Sequence, residues 1–360
     1  MEVNNSTQTL PLEFTGKTGE FFGIWIVNVL LIIITLGFYM PWAKVRTRRY
    51  FYGNTLLDNS PFDYTANPVA ILKGYLIAFT FFILYSIAIN FYPLSQLVFM
   101  IVFLIIFPWL VVRSMIFRAR NTVFRNIRFT FNKNYGEAIA IFAGMPLLIP
   151  ITLGLILPHF IYKQKQFLVD NSGFGTKPFS FHARSGQFYK IYLILVLIFM
   201  LPFIGVIAAI LIPVYQDYIT NSQTNQFINA AAEDPQTIAI LFGQIIGPLL
   251  SLFIYMLLFA YVESRVNNLV WNNIEIADNR FESSLRLRDL VWIYFTNLLA
   301  IIFSVGLLIP WTKIRLARYR MARLTMLAAT DLNGFVKQEQ EQVGAAGDEV
   351  GELFDFDIGL

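Results

Sequence analysis

Residues 18–50 read TGEFFGIWIVNVLLIIITLGFYMPWAKVRTRRY, an apolar run that opens behind an acidic residue and closes in a Gly-x-x-x-Pro motif followed by basic residues. The same pattern returns at residues 135–167 and 287–319. In each copy the Gly follows the acidic residue by 17 positions, and the Pro, a basic residue and an aromatic residue follow the Gly by 4, 9 and 13 positions. Because self-similarity at fixed spacing is typical of a fold assembled by repetition, we interpret the chain as three copies of one unit.

The composition indicates a membrane protein. Of the 360 residues, 56% are hydrophobic and 14% are charged, whereas a soluble domain has roughly 25% charged residues. Seven apolar runs have about the 20 residues that a helix needs to cross the hydrocarbon core. They cover residues 21–41, 69–89, 95–112, 138–158, 190–213, 238–262 and 290–310. Buried helices of a soluble protein would not produce so many runs of this length.

The basic residues favour one topology, because cytoplasmic loops of bacterial membrane proteins carry an excess of Lys and Arg. Segments 90–94 and 214–237 contain none, whereas each of the other segments that follow a run contains four to six. If the three repeat runs enter and leave on the same face, all the basic segments and both termini lie in the cytoplasm. Seven full crossings, as in an inverted-repeat transporter, are the alternative.

We therefore predict an all-α polytopic membrane protein with three internal repeats and four full-length spans. Its three Gly/Pro-interrupted membrane segments either re-enter or cross to give seven spans. Period-two alternation that includes aromatic residues, in stretches such as 10–14 and 126–131, predicts small cytoplasmic β-elements beside the repeats. The predicted units are repeats at 1–68, 113–189 and 263–330, two-helix hairpins at 69–112 and 190–262, and a tail at 331–360. This tail has one Lys and eight acidic residues, so we expect it to be disordered.

A resemblance to a known family rests on three stretches. Residues 14–55 (FTGKTGEFFGIWIVNVLLIIITLGFYMPWAKVRTRRYFYGNT), residues 118–131 (RARNTVFRNIRFTF) and the ending DFDIGL resemble the YjgN-like family of uncharacterised bacterial inner-membrane proteins. The likeness covers nearly the whole chain. It implies a bacterial inner membrane and several helical spans, and it supplies no known substrate, cofactor or catalytic residue.

No pattern in the sequence indicates catalysis, so we predict that the chain is not an enzyme and uses no cofactor. The absence of cysteine excludes thiolate chemistry, and two histidines 23 residues apart do not make a metal site. The residues most able to contact a solute or a lipid headgroup are the acidic and basic residues of the repeats and one histidine. They are Glu20, Glu137, Asp289, Arg46, Lys163, Arg315 and His159. Interaction with helix dipoles is the favoured explanation of the acidic residues, and topogenic contact with lipid headgroups is the favoured explanation of the basic ones.

Two functions are open at this stage. Gly/Pro-interrupted membrane segments and basic inner faces favour a transporter or channel for an anionic or amphipathic solute. The alternative is a non-catalytic membrane-organising or scaffold protein, which binds anionic lipid headgroups and, through its acidic tail, a protein partner. We do not expect nucleic acid as a partner, because the basic loops lie against the membrane. The sequence leaves the oligomeric state open.

Overall fold

A computed structural model of the chain describes residues 8–196, 235–329 and 332–350. Ten strands of three to seven residues form a closed antiparallel barrel in which each strand pairs with its neighbours in the chain. They are β1 (Gln8–Phe14), β2 (Thr55–Leu57), β3 (Ser60–Tyr64), β4 (Thr122–Phe124), β5 (Ile127–Phe131), β6 (Ser172–Phe174), β7 (Lys177–Phe181), β8 (Ile274–Ile276), β9 (Asn279–Ser283) and β10 (Leu324–Ala328). β1 pairs with both β2 and β10, in the register Gln8↔Ala328 on the closing side. Closure leaves these strands without a free edge.

The helices are inserted at one end of the barrel, which we call the helical rim. They are α1 (Thr18–Ile34), α2 (Met40–Gly53), α3 (Pro68–Phe91), α4 (Ser95–Arg120), α5 (Tyr135–Ile139), α6 (Met145–Ile151), α7 (Leu157–Asp170), α8 (185–196), α9 (Pro235–Trp271), α10 (Leu287–Phe303), α11 (Ile309–Met321) and α12 (Leu332–Val350). A π-helical turn, Ala140–Gly144, joins α5 to α6. Apart from α12, all of them lie in the connections β1–β2, β3–β4, β5–β6, β7–β8 and β9–β10.

Two-residue turns join the strands at the opposite end, which we call the turn rim. Asp58 and Asn59 have φ of 49° and 55°, and Arg125 and Asn126 have φ of 47° and 63°. Positive φ at both central residues defines the type I′ turn, whose twist matches that of the two strands it joins. These turns therefore keep the strand pairs in register at the turn rim.

Alternation along the strands places the core inside the barrel. In β1, Leu10, Leu12 and Phe14 are buried, whereas Pro11 and Glu13 between them are exposed. Side chains from the other strands extend this interior cluster, which includes Leu57, Phe124, Ile127, Phe174, Ile276, Leu324 and Met326. The period of two that predicted isolated β-elements is thus the inside–outside pattern of a single barrel.

The three repeat segments form helical hairpins, named hairpin I (α1–α2), hairpin II (α5–α7) and hairpin III (α10–α11). Each hairpin breaks at its motif Gly, where φ is 94° at Gly37, 82° at Gly154 and 86° at Gly306. Each of these Gly N–H groups donates to the carbonyl five residues earlier at 2.8 Å. A left-handed Gly with this bond is a common helix ending, and the motif Pro then occupies the first turn of the next helix, where its missing N–H is not needed.

A hydroxyl residue two positions before each Gly completes the break. Thr35 and Ser304 accept the N–H four residues later at 3.0 Å, and Thr152 does so at 3.4 Å. The breaks thus satisfy these backbone groups internally, which non-helical backbone must do at membrane depth. The residue before each Gly is apolar and almost fully exposed, at 91% for Leu36, 92% for Leu153 and 91% for Val305. Such tips suit contact with lipid.

Every helical connection begins and ends at the same rim. At each base an N–H just after the incoming strand donates to a carbonyl just before the outgoing strand, at 2.7–3.0 Å. The five pairs are Thr15–Asn54, Thr65–Asn121, Asn132–Asn171, His182–Asn273 and Ser284–Arg323. In hairpin I, α1 has 17 residues and is about 25 Å long, which is less than the roughly 30 Å hydrocarbon core.

The predicted fold class is therefore wrong in two respects. The chain is not all-α, because ten strands close a barrel. Among the described residues three helices are long and apolar enough to cross a membrane, at Pro68–Phe91, Ser95–Arg120 and Leu250–Trp271. The seven-span alternative is wrong because the three repeat hairpins return to the rim from which they leave. Of the predicted run 190–213, residues 197–213 lie outside the described part of the chain.

The tail also differs from its prediction. Residues 332–350, expected to be disordered, form α12, which packs across the turn rim. Leu332 and Val336 are 3% and 4% exposed, so an apolar stripe offsets the unfavourable charge of the segment. The domain boundaries stay a prediction, although strands from all three repeat units share the barrel.

Candidate functional site

A cleft of about 870 Å³ lies at the base of hairpin III, beside the first turn of α1. Its walls carry four arginines, one aspartate and three aromatic rings. The arginines are Arg288, Arg315, Arg318 and Arg323. One carboxylate against four guanidinium groups leaves a net charge of +3 among the lining residues.

The carboxylate of Asp289 contacts three other side chains of the cleft. Its Oδ2 accepts from Tyr319 Oη at 3.3 Å and from Arg323 Nη2 at 3.4 Å, and its Oδ1 lies 3.9 Å from Arg288 Nε. Burial raises the pKa of the Tyr319 phenol, and the charge of Asp289 adds to this effect. Arg288 remains 90% exposed, so it is available to a ligand.

The other two arginines are positioned by neutral groups. Arg315 stacks 5.1 Å from the Trp311 ring centroid, and its Nη1 donates to Thr296 Oγ1 at 2.5 Å and to Asn297 Oδ1 at 3.1 Å. Arg318 donates to a backbone carbonyl at 3.1 Å. None of these three bonds neutralises a charge. A preoriented guanidinium recognises planar oxyanions such as carboxylate and phosphate, so the cleft is suited to an anionic headgroup.

Two of the predicted acidic residues, Glu20 and Glu137, lie at hairpin bases and are not among the residues that line this cleft. Glu20 accepts from Tyr50 Oη at 3.2 Å, and Glu137 accepts from Asn134 Nδ2 at 2.7 Å. Both stand in the first turn of a helix, where a carboxylate interacts favourably with the helix dipole. Arg46 is exposed on α2. The helix-dipole interpretation of the acidic residues stays a prediction.

The predicted residues of hairpin II have local partners. Lys163 Nζ donates to Gln166 Oε1 at 2.9 Å, and His159 Nδ1 lies 2.9 Å from Ser185 Oγ. The seven predicted residues therefore do not converge on one site. Asp289 and Arg315 are the two that line the cleft.

Sequence reasoning missed a second polar group, between α9 and α11. Glu263 is 8% exposed, receives a bond of 2.7 Å from Arg320 Nε, and also accepts from Tyr294 Oη. The signal for it was a lone carboxylate directly after the apolar run 238–262. Among the described residues, no group of three or more His, Asp or Glu side chains is placed to hold a metal ion.

These features define a membrane protein in which the described helices, apart from α12, rise from one rim of a ten-stranded barrel. The family described as "Bacterial protein of unknown function (DUF898)" matches residues 9–353. The chain belongs to this family.

Curated relatives agree with this assignment. The inner membrane protein YjgN of Salmonella typhimurium is 37% identical over 119 residues, which cover 33% of this chain and 30% of the relative. The protein of the same name from Escherichia coli K12 is 32% identical over 119 residues, covering 32% of this chain and 30% of the relative. The match thus spans less than a third of either relative. No solved structure matches the chain. The resemblance to the YjgN-like family is confirmed.

Proposed function

We propose that the protein is a multi-pass inner-membrane protein that binds an anionic amphiphile at the cleft and moves it in a transporter-like manner. The observation that carries this proposal is the unneutralised charge of the cleft at the base of hairpin III. A ligand that enters from the lipid would meet Trp292, which is 62% exposed, before its headgroup met the arginines. That the chain is not an enzyme remains a prediction.

The proposed orientation places the barrel and both termini in the cytoplasm. Most basic residues of the hairpins lie on the helices that return to the barrel, α2, α7 and α11, whereas the connection between α3 and α4 at 92–94 has neither Lys nor Arg. The excess of positive charge faces the cytoplasm in bacterial membrane proteins, and anionic headgroups attract basic segments there.

Single-cysteine labelling tests the orientation, because the natural chain has no cysteine. A membrane-impermeant maleimide should label Pro93→Cys in spheroplasts and label Asn59→Cys only after permeabilisation. The reverse pattern would overturn the proposed orientation.

Movement of a labelled lipid across proteoliposomes tests the transport proposal. The protein should accelerate the transfer of fluorescent phosphatidylglycerol between leaflets more than that of fluorescent phosphatidylcholine. The double variant Arg288→Gln/Arg315→Gln should lose this difference. Arg46→Gln, at the matching position of hairpin I and outside the cleft, should keep it. Transfer no faster than in protein-free vesicles would remove the proposal.

The hairpin tips favour a second candidate, a membrane-organising protein. Three exposed apolar tips would insert part of the way into the bilayer as wedges. A protein partner at the acidic tail belongs to the same proposal. The triple variant Leu36→Asp/Leu153→Asp/Val305→Asp should then abolish any change in vesicle size that the wild-type protein causes. If the wild-type protein leaves vesicle size unchanged, this candidate fails.

A further inference from the structure

The barrel encloses a cavity of about 340 Å³, within the range of roughly 300–1,000 Å³ that is typical of ligand sites. Its lining is almost entirely apolar and includes the rings of Phe62, Phe129 and Phe179. The Ser172 hydroxyl in the wall already donates to the Leu168 carbonyl at 2.6 Å. A buried water needs two to four polar partners, so this lumen suits an apolar chain better than water.

α12 closes the lumen at the turn rim. Leu332, Phe335 and Val336 of this helix form part of the cavity wall. Two contacts hold the helix in place: Arg125 Nη1 donates to Asn333 Oδ1 at 2.8 Å, and Thr176 N–H donates to the buried Glu339 carboxylate. With this end covered, a ligand reaches the lumen from the helical rim, which faces the membrane.

A second cavity of about 580 Å³ adjoins the lumen on that side. Residues of α7, α8, α9 and α11 line it, and it shares Trp271 and Leu324 with the lumen wall. This chamber contains three charged side chains. Glu263 and Arg320 pair with each other, whereas Lys165 has no hydrogen-bond or ion-pair partner among the described residues.

The surroundings of Lys165 suit an anionic ligand. Burial lowers the pKa of its amine, and no neighbouring carboxylate counteracts the effect. A nearby negative charge favours the charged form of a lysine. A ligand that brings an anionic group into the chamber would therefore bind the Lys165 ammonium.

We propose that the lumen and the chamber form one binding site for a single-chain anionic amphiphile, whose acyl chain fills the barrel while Lys165 binds its headgroup. Trp271 lies between the two parts, where the chain meets the headgroup. This site is distinct from the arginine cleft and does not depend on transport. It provides a place inside the protein for the chain of such a ligand.

Saturated carboxylates from octanoate to hexadecanoate, titrated into the full chain in nanodiscs, test the inference. Burial of a methylene contributes about 0.8 kcal/mol, so affinity should rise about fourfold for each added methylene until the lumen is full, and then level off. Val336→Phe, which enlarges a side chain on α12 without touching a strand, should shift this limit to shorter chains. Val336→Ala, the matched control, should not shorten it.

A headgroup variant tests the other half of the site. Lys165→Met should weaken dodecanoate binding about 10-fold to 100-fold, as expected for loss of a charge-assisted hydrogen bond, and leave dodecanol binding unchanged. This comparison does not depend on the folding of the Val336→Phe variant. If affinity keeps rising with chain length up to hexadecanoate, or if neither Val336→Phe nor Lys165→Met changes it, the carboxylates partition into the bilayer. Either result would overturn the inference. The double variant Arg288→Gln/Arg315→Gln should bind dodecanoate normally, so failure of the cleft and failure of this site are distinguishable.

Discussion

Gly175, in the turn between β6 and β7, packs directly against the Glu339 side chain of α12, so a larger residue at this position should undock α12 from the barrel. Its φ is 60°, and a Cβ on it would collide with the Glu339 side chain, with Cγ at 2.7 Å and Cδ at 3.0 Å. Glu339 is fully buried and accepts the neighbouring Thr176 N–H. We therefore expect Gly175→Ala to displace Glu339 and to release α12.

The magnitude follows from two contributions. A left-handed conformation costs an L-residue roughly 1–2 kcal/mol, and loss of the hydrogen bond to the Glu339 carboxylate removes about 1.5–3 kcal/mol. Gly154→Ala is the matched control, because Gly154 has φ of 82° and no atom lies within 4 Å of an added Cβ. That variant has the backbone strain alone, roughly 1–2 kcal/mol.

Hydrogen–deuterium exchange of the amides in α12 measures the difference. Gly175→Ala should increase their exchange roughly 10-fold to 100-fold, which corresponds to loss of the Glu339 bond. Gly154→Ala, at a distant hairpin tip, should leave these rates at the wild-type value. If the two variants exchange equally in α12, the reasoning about Glu339 is refuted.

Three further predictions concern α12 and two ionisable groups of α7. The Arg125 side chain is 16% exposed, and Arg125→Ala removes its 2.8 Å bond to Asn333. Proteolysis should then cut α12 faster, and the free energy of unfolding should fall by about 1.5–3 kcal/mol. The pKa of Lys165 in the folded protein lies below its ordinary value of 10.5, so at pH values between the folded pKa and 10.5 the unfolded chain binds more protons than the folded one. The thermal midpoint should therefore rise with pH in this interval, and Lys165→Met should lack this rise. Burial raises the pKa of Asp170 above its ordinary 3.8, so its stabilising contribution is complete below 3.8 and is lost as pH rises through the folded value. Asp170→Asn should lack this loss and still accept the Phe181 N–H.

The controls separate these effects from general damage. Lys163 lies two residues from Lys165 and donates to Gln166 Oε1. The control variant Lys163→Met should keep the wild-type pH dependence. Flat pH profiles in the wild-type protein would contradict both titration predictions. Unchanged proteolysis of α12 in Arg125→Ala would show that other contacts hold the helix.

The hairpin breaks were predictable because their signal is local. Gly37 and Pro41 lie within one turn of each other, and the reason for each residue is a property of its own backbone: a positive φ for Gly and a missing N–H for Pro. The three copies therefore indicated the same break, and the structure places it at the predicted position each time.

The barrel was not predictable from the same patterns. β2, β4, β6 and β8 have three residues each, and helices of up to 37 residues separate the strand pairs. A short alternating stretch predicts a strand but does not identify its partner. The pairing of Gln8 with Ala328 depends on closure of the whole ring, for which no local signal exists.

The helical tail had a signal that its charge obscured. Leu332, Phe335, Val336 and Glu339 follow the i, i+3, i+4, i+7 spacing of one helix face. Net charge and low hydrophobicity argued for disorder, but four residues on one face were enough for docking. In the candidate site, Asp289 and Arg315 were predicted from their positions in the repeat. Arg288 and Arg323 were identified as site residues only by the folded structure, which places them in the cleft lining.

The pairing of β1 with β10 has a consequence for synthesis of the protein. The ribosome must add about 320 residues after Gln8 before Ala328 exists, which takes roughly 16–64 s at about 5–20 residues per second. Throughout this interval one side of the first strand has no permanent neighbour, while the intervening helices are already entering the bilayer. Chains that stop before residue 324 keep two open sheet edges, and we expect them to aggregate or be degraded rather than accumulate as a smaller barrel.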